Sequence, residues 1–342
     1  MRFPMSASRP QPTTWGFVAA GKMAAAMARD LRHAPGNRIG GVVSRTPQSA
    51  AAFVRQFGGQ AHGSLDAMLA DPGIDVIYVA SPNNLHYEQT KAALLAGKPV
   101  LCEKTFTLNA PQLAELIEIA RSRKLFLMEA MWVRWLPLVS ALRELLQRGA
   151  IGQALQLHAA FHSLPPIAAD NRFYSPALGG GALLDLGIYP VSFASLVFGD
   201  QPQEIVSKAE LAPTGVDTRF SAIFHYASGG MAQLAASFAG RMRHDIMILG
   251  SEGNIRIEMD RGGWKMRRLH LQQGGTVRPH GGTRTLTAPY KGDGYGYQAA
   301  EVRRCLQAGL QESETMPLDE SLAILRTLDT LRAQWGMRYP GE

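Results

Sequence analysis

Lys104 closes a short apolar run, Val100-Leu101-Cys102, with Glu103 beside it. A run that stops at a carboxylate and an ammonium reads as a buried parallel strand. It would deliver a cation to the carboxyl edge of an open α/β sheet, where such folds bind ligands. Further along, Gly179-Gly180-Gly181 precedes Asp185 and Tyr189, which are four positions apart. That spacing puts both on one face of a helix, and the glycines allow a tight turn with close approach to a ligand. A carboxylate that orients a substrate and a phenol that gives or takes a proton suit the interconversion of a hydroxyl and a carbonyl. Each feature also has a plainer reading: Lys104 as a solvated surface charge, and Asp185 with Tyr189 as a surface carboxylate beside a half-buried ring.

The elements that must position these residues begin with a strand from Thr14 to Ala19, a turn through Ala20-Gly21 and an alanine-rich helix to about Leu31. The turn Ala19-Ala20-Gly21-Lys22-Met23-Ala24 is a degenerate G-x-G-x-x-A, with alanine in the first position. Its backbone N–H groups and the helix N-terminus are suited to a pyrophosphate. The second strand, Ile39 to Val43, ends at Ser44-Arg45-Thr46, where an NAD-specific fold carries a carboxylate for the ribose hydroxyls. An arginine there argues for NADP, because a guanidinium can face a 2′-phosphate. NAD stays as the alternative, with Arg45 then an ordinary solvated loop residue.

A helix to about Phe57, a short strand at Gln60-Ala61, a helix from Leu65 and the strand Ile74 to Ala80 follow. The turn Ser81-Pro82-Asn83-Asn84 and a helix ending at Gly97-Lys98-Pro99 make Lys104 the end of a βαβ unit. Ala110 to Arg123 forms an amphipathic helix and Leu125 to Met128 a strand. This alternation predicts a doubly wound parallel sheet over 14–131, after a flexible leader at 1–13. Beyond it, Phe220, Ala222, Phe224 and Tyr226 share one face of a strand, and Ser228-Gly229-Gly230 turns the chain into Met231 to Phe238. The fold class expected is α/β: an N-terminal Rossmann domain and, over 132–342, an α/β domain with a large, mainly antiparallel open sheet. That second domain is expected to bind substrate and to pair with its copy in a homodimer through the mixed outer face of the sheet.

Composition narrows the function classes. The 342 residues are 46% hydrophobic and 18% charged, as in soluble globular proteins. The net charge of +7 is dispersed, without basic runs or aromatic-basic interleaving, so no nucleic-acid partner is expected. No apolar run reaches the roughly 18 residues that span a membrane. Two distant cysteines suit a reducing, cytoplasmic setting. His158 and His162 share a strand face but lie too far apart to hold one ion, and no metal is expected.

The stretches Ser81-Pro82-Asn83-Asn84-Leu85-His86, Gly97 to Lys104, Phe126-Leu127-Met128-Glu129-Ala130-Met131-Trp132, Gly179 to Tyr189 and Met316-Pro317-Leu318-Asp319-Glu320 together resemble the Gfo/Idh/MocA oxidoreductase family. Within it the chain looks most like the branch of dimeric dihydrodiol dehydrogenases and NADP-linked xylose dehydrogenases. The resemblance implies a dehydrogenase that transfers a hydride between a nicotinamide and a secondary or hemiacetal carbon of a sugar, polyol or cyclic trans-diol. Lys104 matches the lysine of the family's Glu-Lys-Pro motif, Asp185 its substrate-domain aspartate, and Tyr189 a position where many members carry His. The cofactor would be met by Ala19, Ala20, Gly21, Lys22, Met23, Ser44, Arg45, Ser81, Pro82, Asn84, His86, Glu103 and Lys104. The substrate would be met by Trp132, Phe161, Asp185 and Tyr189. Tyr189 would handle the hydroxyl proton, with the Lys104 ammonium drawing the phenol's pKa down, although Lys104 itself stays open as the base.

Two departures stand out: Ala19 for the first glycine of the phosphate turn, and Thr105 for the proline after the lysine. They favour one other reading, a nicotinamide-binding sensor or scaffold without turnover; a net non-redox enzyme such as a glycosidase is a further alternative.

Overall fold

Residues 11–166, 171–199, 201–240, 244–260, 265–274 and 283–342 are described by a computed structural model of the chain. The first strand, β1, spans Thr13–Val18, and most of the expected leader lies outside the described residues. There follow α1 (Lys22–Asp30), β2 (Asn37–Val43), α2 (Pro47–Phe57), β3 (Gln60–Ala61), α3 (Leu65–Leu69), β4 (Val76–Val79), α4 (His86–Leu95), β5 (Val100–Glu103), α5 (Ala110–Ser122) and β6 (Leu127–Ala130). The strands stand in the order β3-β2-β1-β4-β5-β6, with every pairing parallel. β1, β4, β5 and β6 are buried along their whole length, as continuous apolar runs covered on both faces must be. Thr46, Ser64 and Asn109 accept from the first turns of α2, α3 and α5 and so fix where those helices begin. The strand order reverses between β1 and β4, which opens a crevice at their carboxyl ends.

The second sheet follows α6 (Pro137–Gln147) and contains β7 (Ala154–His162), then, after α7 (Ile188–Phe198), β8 (Glu204–Leu211), β9 (Asp217–His225), β10 (Met231–Ser237), β11 (Asp245–Gly250), β12 (Gly253–Met259), β13 (Met266–Gln273) and β14 (Arg284–Leu286). Its order is β14-β13-β12-β11-β7-β10-β9-β8. The sheet is antiparallel as expected except where β10 pairs with β7 in parallel. Burial alternates along β9 and β10, with Phe220, Ala222 and Phe224 facing the core. α7 packs on that buried face, while His158 and His162 lie on the open one.

The last two helices return to the first domain. From α8 (Gly296–Gln307), Arg303 donates to the Gly36 carbonyl at 2.7 Å and the Thr13 hydroxyl at 3.1 Å. From α9 (Leu318–Trp335), Asp329 accepts from the Ala110 N–H at 2.8 Å and Arg332 donates to the Leu108 carbonyl at 3.1 Å. One correction concerns apolar length. Among the described residues, the helical stretch Pro176–Phe198 is long and apolar enough to cross a membrane, but of its most apolar 18 residues, with mean hydropathy 1.6, 72% are buried inside the protein, as in a core helix.

Candidate active site

β5 ends in Glu103, and Lys104 follows through a peptide bond to Thr105 that is cis. The Lys104 ammonium donates to the Asp185 carbonyl at 2.6 Å and lies 3.5 Å from the Asp185 carboxylate. Asp185 belongs to a π-helical turn, Leu183–Gly187, that runs into α7. The wider winding keeps Asp185 and Tyr189 near one another, as a regular helix was expected to do. Two elements far apart in the chain thus meet at the carboxyl edge of the first sheet. A third charge joins them, because the Arg172 guanidinium lies 3.6 Å from the same Asp185 oxygen.

Tyr189 is buried against Phe161, whose ring stacks on it at 5.4 Å. The Lys104 nitrogen sits 5.0 Å from the centre of the Tyr189 ring, over its face. Trp132 donates its indole N–H to the Tyr189 hydroxyl at 3.1 Å and packs on Tyr295 at 5.1 Å. Trp132 is therefore an aromatic wall and also a hydrogen-bond donor to the phenol. Burial pushes the Tyr189 phenol well above its usual pKa; the Trp132 bond opposes this, while the Asp185 and Glu103 charges add to it. The expectation that Lys104 would draw the phenol downward is corrected here. Desolvation dominates, and the ammonium faces the ring and Asp185.

At the crevice, Ala19 has φ +81°, the left-handed region that favours glycine, and its N–H donates to the Val43 carbonyl at 2.9 Å. Ala20 is half-buried behind it. Gly21 caps α1, and nothing lies within 4 Å of where a Cβ on it would stand. The first turn of α1, opening with Lys22 and Met23, has no side-chain cap and no acidic residue. Its N–H groups thus form a cradle whose chemistry fits a pyrophosphate.

Ser44 and Arg45 follow β2, with Arg45 exposed. The neighbouring Thr46 hydroxyl is occupied in capping α2. Ser81 donates to Gln89 at 2.6 Å, Pro82 is exposed, and the Asn84 amide oxygen is buried without a hydrogen-bond partner in the structure. His86 and Glu103 sit beneath this surface. The fully buried His86 ring lies between the Thr105 and Ser81 carbonyls at 2.9 and 2.8 Å, and burial lowers its pKa. Glu103 accepts from the Tyr78 hydroxyl at 2.5 Å, and burial pushes its carboxyl up to about 7. Both residues brace the cleft floor.

Two family models match the chain: the NAD-binding Rossmann fold of the GFO/IDH/MocA oxidoreductase family over residues 13–131, and the GFO/IDH/MocA C-terminal domain over 139–256. The chain belongs to the GFO/IDH/MocA family. Among similar proteins, D-xylose 1-dehydrogenase (NADP(+)) of Hypocrea jecorina is 31% identical, with 98% of this chain and 95% of the relative covered. Trans-1,2-dihydrobenzene-1,2-diol dehydrogenase of Xenopus tropicalis is 33% identical, covering 96% and 99%. Among solved structures, the 3-ketoreductase KijD10 of Actinomadura kijaniata, crystallised with NADP and TDP-benzene, superposes with a TM-score of 0.82 at 26% identity, covering 94% and 98%.

Within this family setting, several residues at the site have partners that the sequence did not show, Thr105 among them although its departure from proline was noted. Thr105 donates its hydroxyl to the Leu184 carbonyl at 2.9 Å. Asp217, from the start of β9, accepts from the Leu183 N–H at 2.7 Å. Arg172 reaches Asp185, and Tyr295 packs on Trp132. Only the triple glycine ahead of Asp185 hinted that something packs closely there: a Cβ on Gly181 would stand 2.4 Å from the Asp217 carboxylate.

Proposed function

We propose that this GFO/IDH/MocA oxidoreductase uses NADP to interconvert a CH–OH group and a carbonyl on a sugar, polyol or cyclic trans-diol. One observation carries the reading: Lys104, Asp185 and Tyr189 converge at the carboxyl edge of the NAD-binding sheet, beside the uncapped start of α1. A bound nicotinamide would supply the hydride acceptor or donor. Tyr189 holds the substrate hydroxyl and moves its proton, Trp132 keeps the phenol oriented, and Lys104 supplies positive charge beside it. Asp185 orients both the lysine and the substrate, while Phe161 and Trp132 wall the ring-shaped part of the site. The α1 turn from Ala19 to Met23 would hold the pyrophosphate, and Ser81, Pro82 and Asn84 would meet the cofactor beside it. Arg45, together with the cofactor named for the xylose dehydrogenase and bound by KijD10, supports NADP over NAD.

The domain division at 131/132 and a homodimer through the second sheet complete the proposal. The sheet's open face exposes Val206, Ile223 and Met231, a mixed surface suited to an isologous contact. A monomer by light scattering at micromolar concentration would refute the dimer. Buried free thiols at Cys102 and Cys305 support a cytoplasmic location, which cell fractionation tests. The central test offers NADP with aldoses, polyols and trans-cyclohexadienediols, and NADPH with the matching carbonyls, and follows reduced-nicotinamide absorbance. Turnover by wild type is expected, and no turnover across the panel would overturn the reading.

A further inference from the structure

The π-helical turn Leu183–Gly187 is the segment on which the site depends, because it carries Asp185 and leads directly to Tyr189. In this turn the Ile188 N–H reaches back to the Leu183 carbonyl, an offset of one residue from regular α-helical pairing. Three consecutive residues of the turn are then held from outside it. The Leu183 N–H is taken by Asp217, the Leu184 carbonyl by the Thr105 hydroxyl at 2.9 Å, and the Asp185 carbonyl by Lys104 at 2.6 Å. Two of those contacts come from adjacent residues of one loop, so Lys104 and Thr105 dock side by side on neighbouring carbonyls.

Thr105 is 1% exposed, and its own carbonyl meets the His86 ring, so the hydroxyl has little freedom to turn elsewhere. A carbonyl oxygen has two lone pairs, so it accommodates a side-chain donor alongside any backbone bond. Proline, the residue expected here from the family resemblance, has no hydroxyl and makes no such contact.

We propose that Thr105 is a positioning residue for the reaction. By donating to the Leu184 carbonyl it locks the wide turn in the register that sets the Asp185 carbonyl and carboxylate against Lys104 and puts Tyr189 in place. This rests on the catalytic reading of Lys104, Asp185 and Tyr189 given above. Thr105 acts through the turn and touches no reacting atom. Losing a buried neutral hydrogen bond changes a local opening equilibrium by roughly three- to tenfold. Small displacements of a reacting group are amplified in rate, so a fall in kcat of about tenfold or more is expected.

The test compares Thr105→Val, which keeps the shape without the donor, with Thr105→Ser, which keeps the donor. Hydrogen exchange of the cofactor-free protein is read over residues 183–189 by mass spectrometry, and steady-state kinetics are run with the substrate found in the panel. In Thr105→Val, exchange in the turn should quicken about three- to tenfold while other segments keep wild-type rates. Its kcat should fall about tenfold, with the dissociation constant for NADPH within twofold and a larger isotope effect from deuterated cofactor. Thr105→Ser should restore exchange and kcat to within about twofold of wild type. Wild-type exchange in Thr105→Val, an unchanged kcat despite faster exchange, or no rescue by serine would each overturn the proposal. Wild type that turns over nothing in the panel refutes the catalytic reading instead, and the exchange arm still reports whether the hydroxyl holds the turn.

Discussion

Replacing Ala19 by glycine tests the phosphate turn through its backbone. Ala19 sits at φ +81°, where an L side chain costs roughly 1–2 kcal/mol and glycine costs nothing. Glycine returns part of this gain, since it loosens the unfolded chain by about 0.4–1 kcal/mol. The difference predicts that Ala19→Gly is between equally stable and about 1.5 kcal/mol more stable than wild type. Ala19→Val is the opposite perturbation: a branched Cβ at positive φ should lose about 1–3 kcal/mol. Urea unfolding with an unchanged m-value reads both. Calorimetric titration with NADPH should show equal or tighter binding in the glycine variant and weaker binding in the valine one, because the Ala19 N–H bond to Val43 fixes where this turn meets β2. A glycine variant less stable than wild type by more than about 1 kcal/mol, or a valine variant as stable as wild type, would show that residue 19 does not occupy the left-handed region.

Lys104→Met and Tyr189→Phe should each lower turnover by roughly 10²–10⁴ while NADPH affinity stays within about threefold; near-normal turnover in both would remove their proposed roles. Burial holds the Tyr189 phenol protonated, so carbonyl reduction should be flat over about pH 6–9 and alcohol oxidation should climb across that range. A flat oxidation profile would instead point to Lys104 as the proton carrier. NADP should bind roughly ten- to hundredfold tighter than NAD, a margin that shrinks in Arg45→Ala and at high salt; equal calorimetric affinities in wild type would mean that Arg45 points elsewhere. The Asp217 carboxyl is raised to about 7 by burial. Its folded pKa exceeds the unfolded value, so its contribution is most favourable in acid and is lost as pH rises through about 7. Asp217→Asn should therefore remove roughly 2–3 kcal/mol of the fall in stability between about pH 5 and 8, and an identical fall in the variant would contradict that placement.

The parts of the fold legible in the sequence were those set by local pattern. Continuous apolar runs named β4, β5 and β6, and the halt at Glu103-Lys104 marked a sheet edge, because a buried strand admits charge only where it ends. The hairpin at Ser228-Gly229-Gly230 followed from its glycines and the flanking alternation. The parallel pairing of β10 with β7 was not legible, since the 68 residues between them leave no periodic trace of which edge β10 joins. The return of α8 and α9 to the first domain was hidden for the same reason. At the site, residue types were readable but their partners were not. Trp132 looked like a wall because sequence shows its ring, while its N–H bond to Tyr189 depends on a helix that arrives 57 residues later in the chain. Thr105 stood out only as a missing proline, and Asp217 not at all: both act on backbone groups, which every residue carries, so no side-chain pattern announces their partners.

Burial also decides which carboxylate serves Lys104. Glu103, its neighbour in sequence, is the obvious counter-ion, yet it is 4% exposed, bonded to Tyr78 and pushed up to about 7, so near neutral pH it is a weak and partly protonated partner. Asp185 comes from the other domain, keeps 22% of its side chain in contact with solvent, and presents both a carbonyl and a carboxylate oxygen to the ammonium. A cation pairs best with the acceptor that is not itself paying for desolvation. The lysine is therefore drawn across the domain boundary and away from its own strand. Its charge meets the Tyr189 ring where the turn that bears Asp185 rests against the loop after β5. A cation anchored to its own sheet edge would draw on one domain alone; Lys104, anchored to a residue of the other, makes the candidate site a joint product of both.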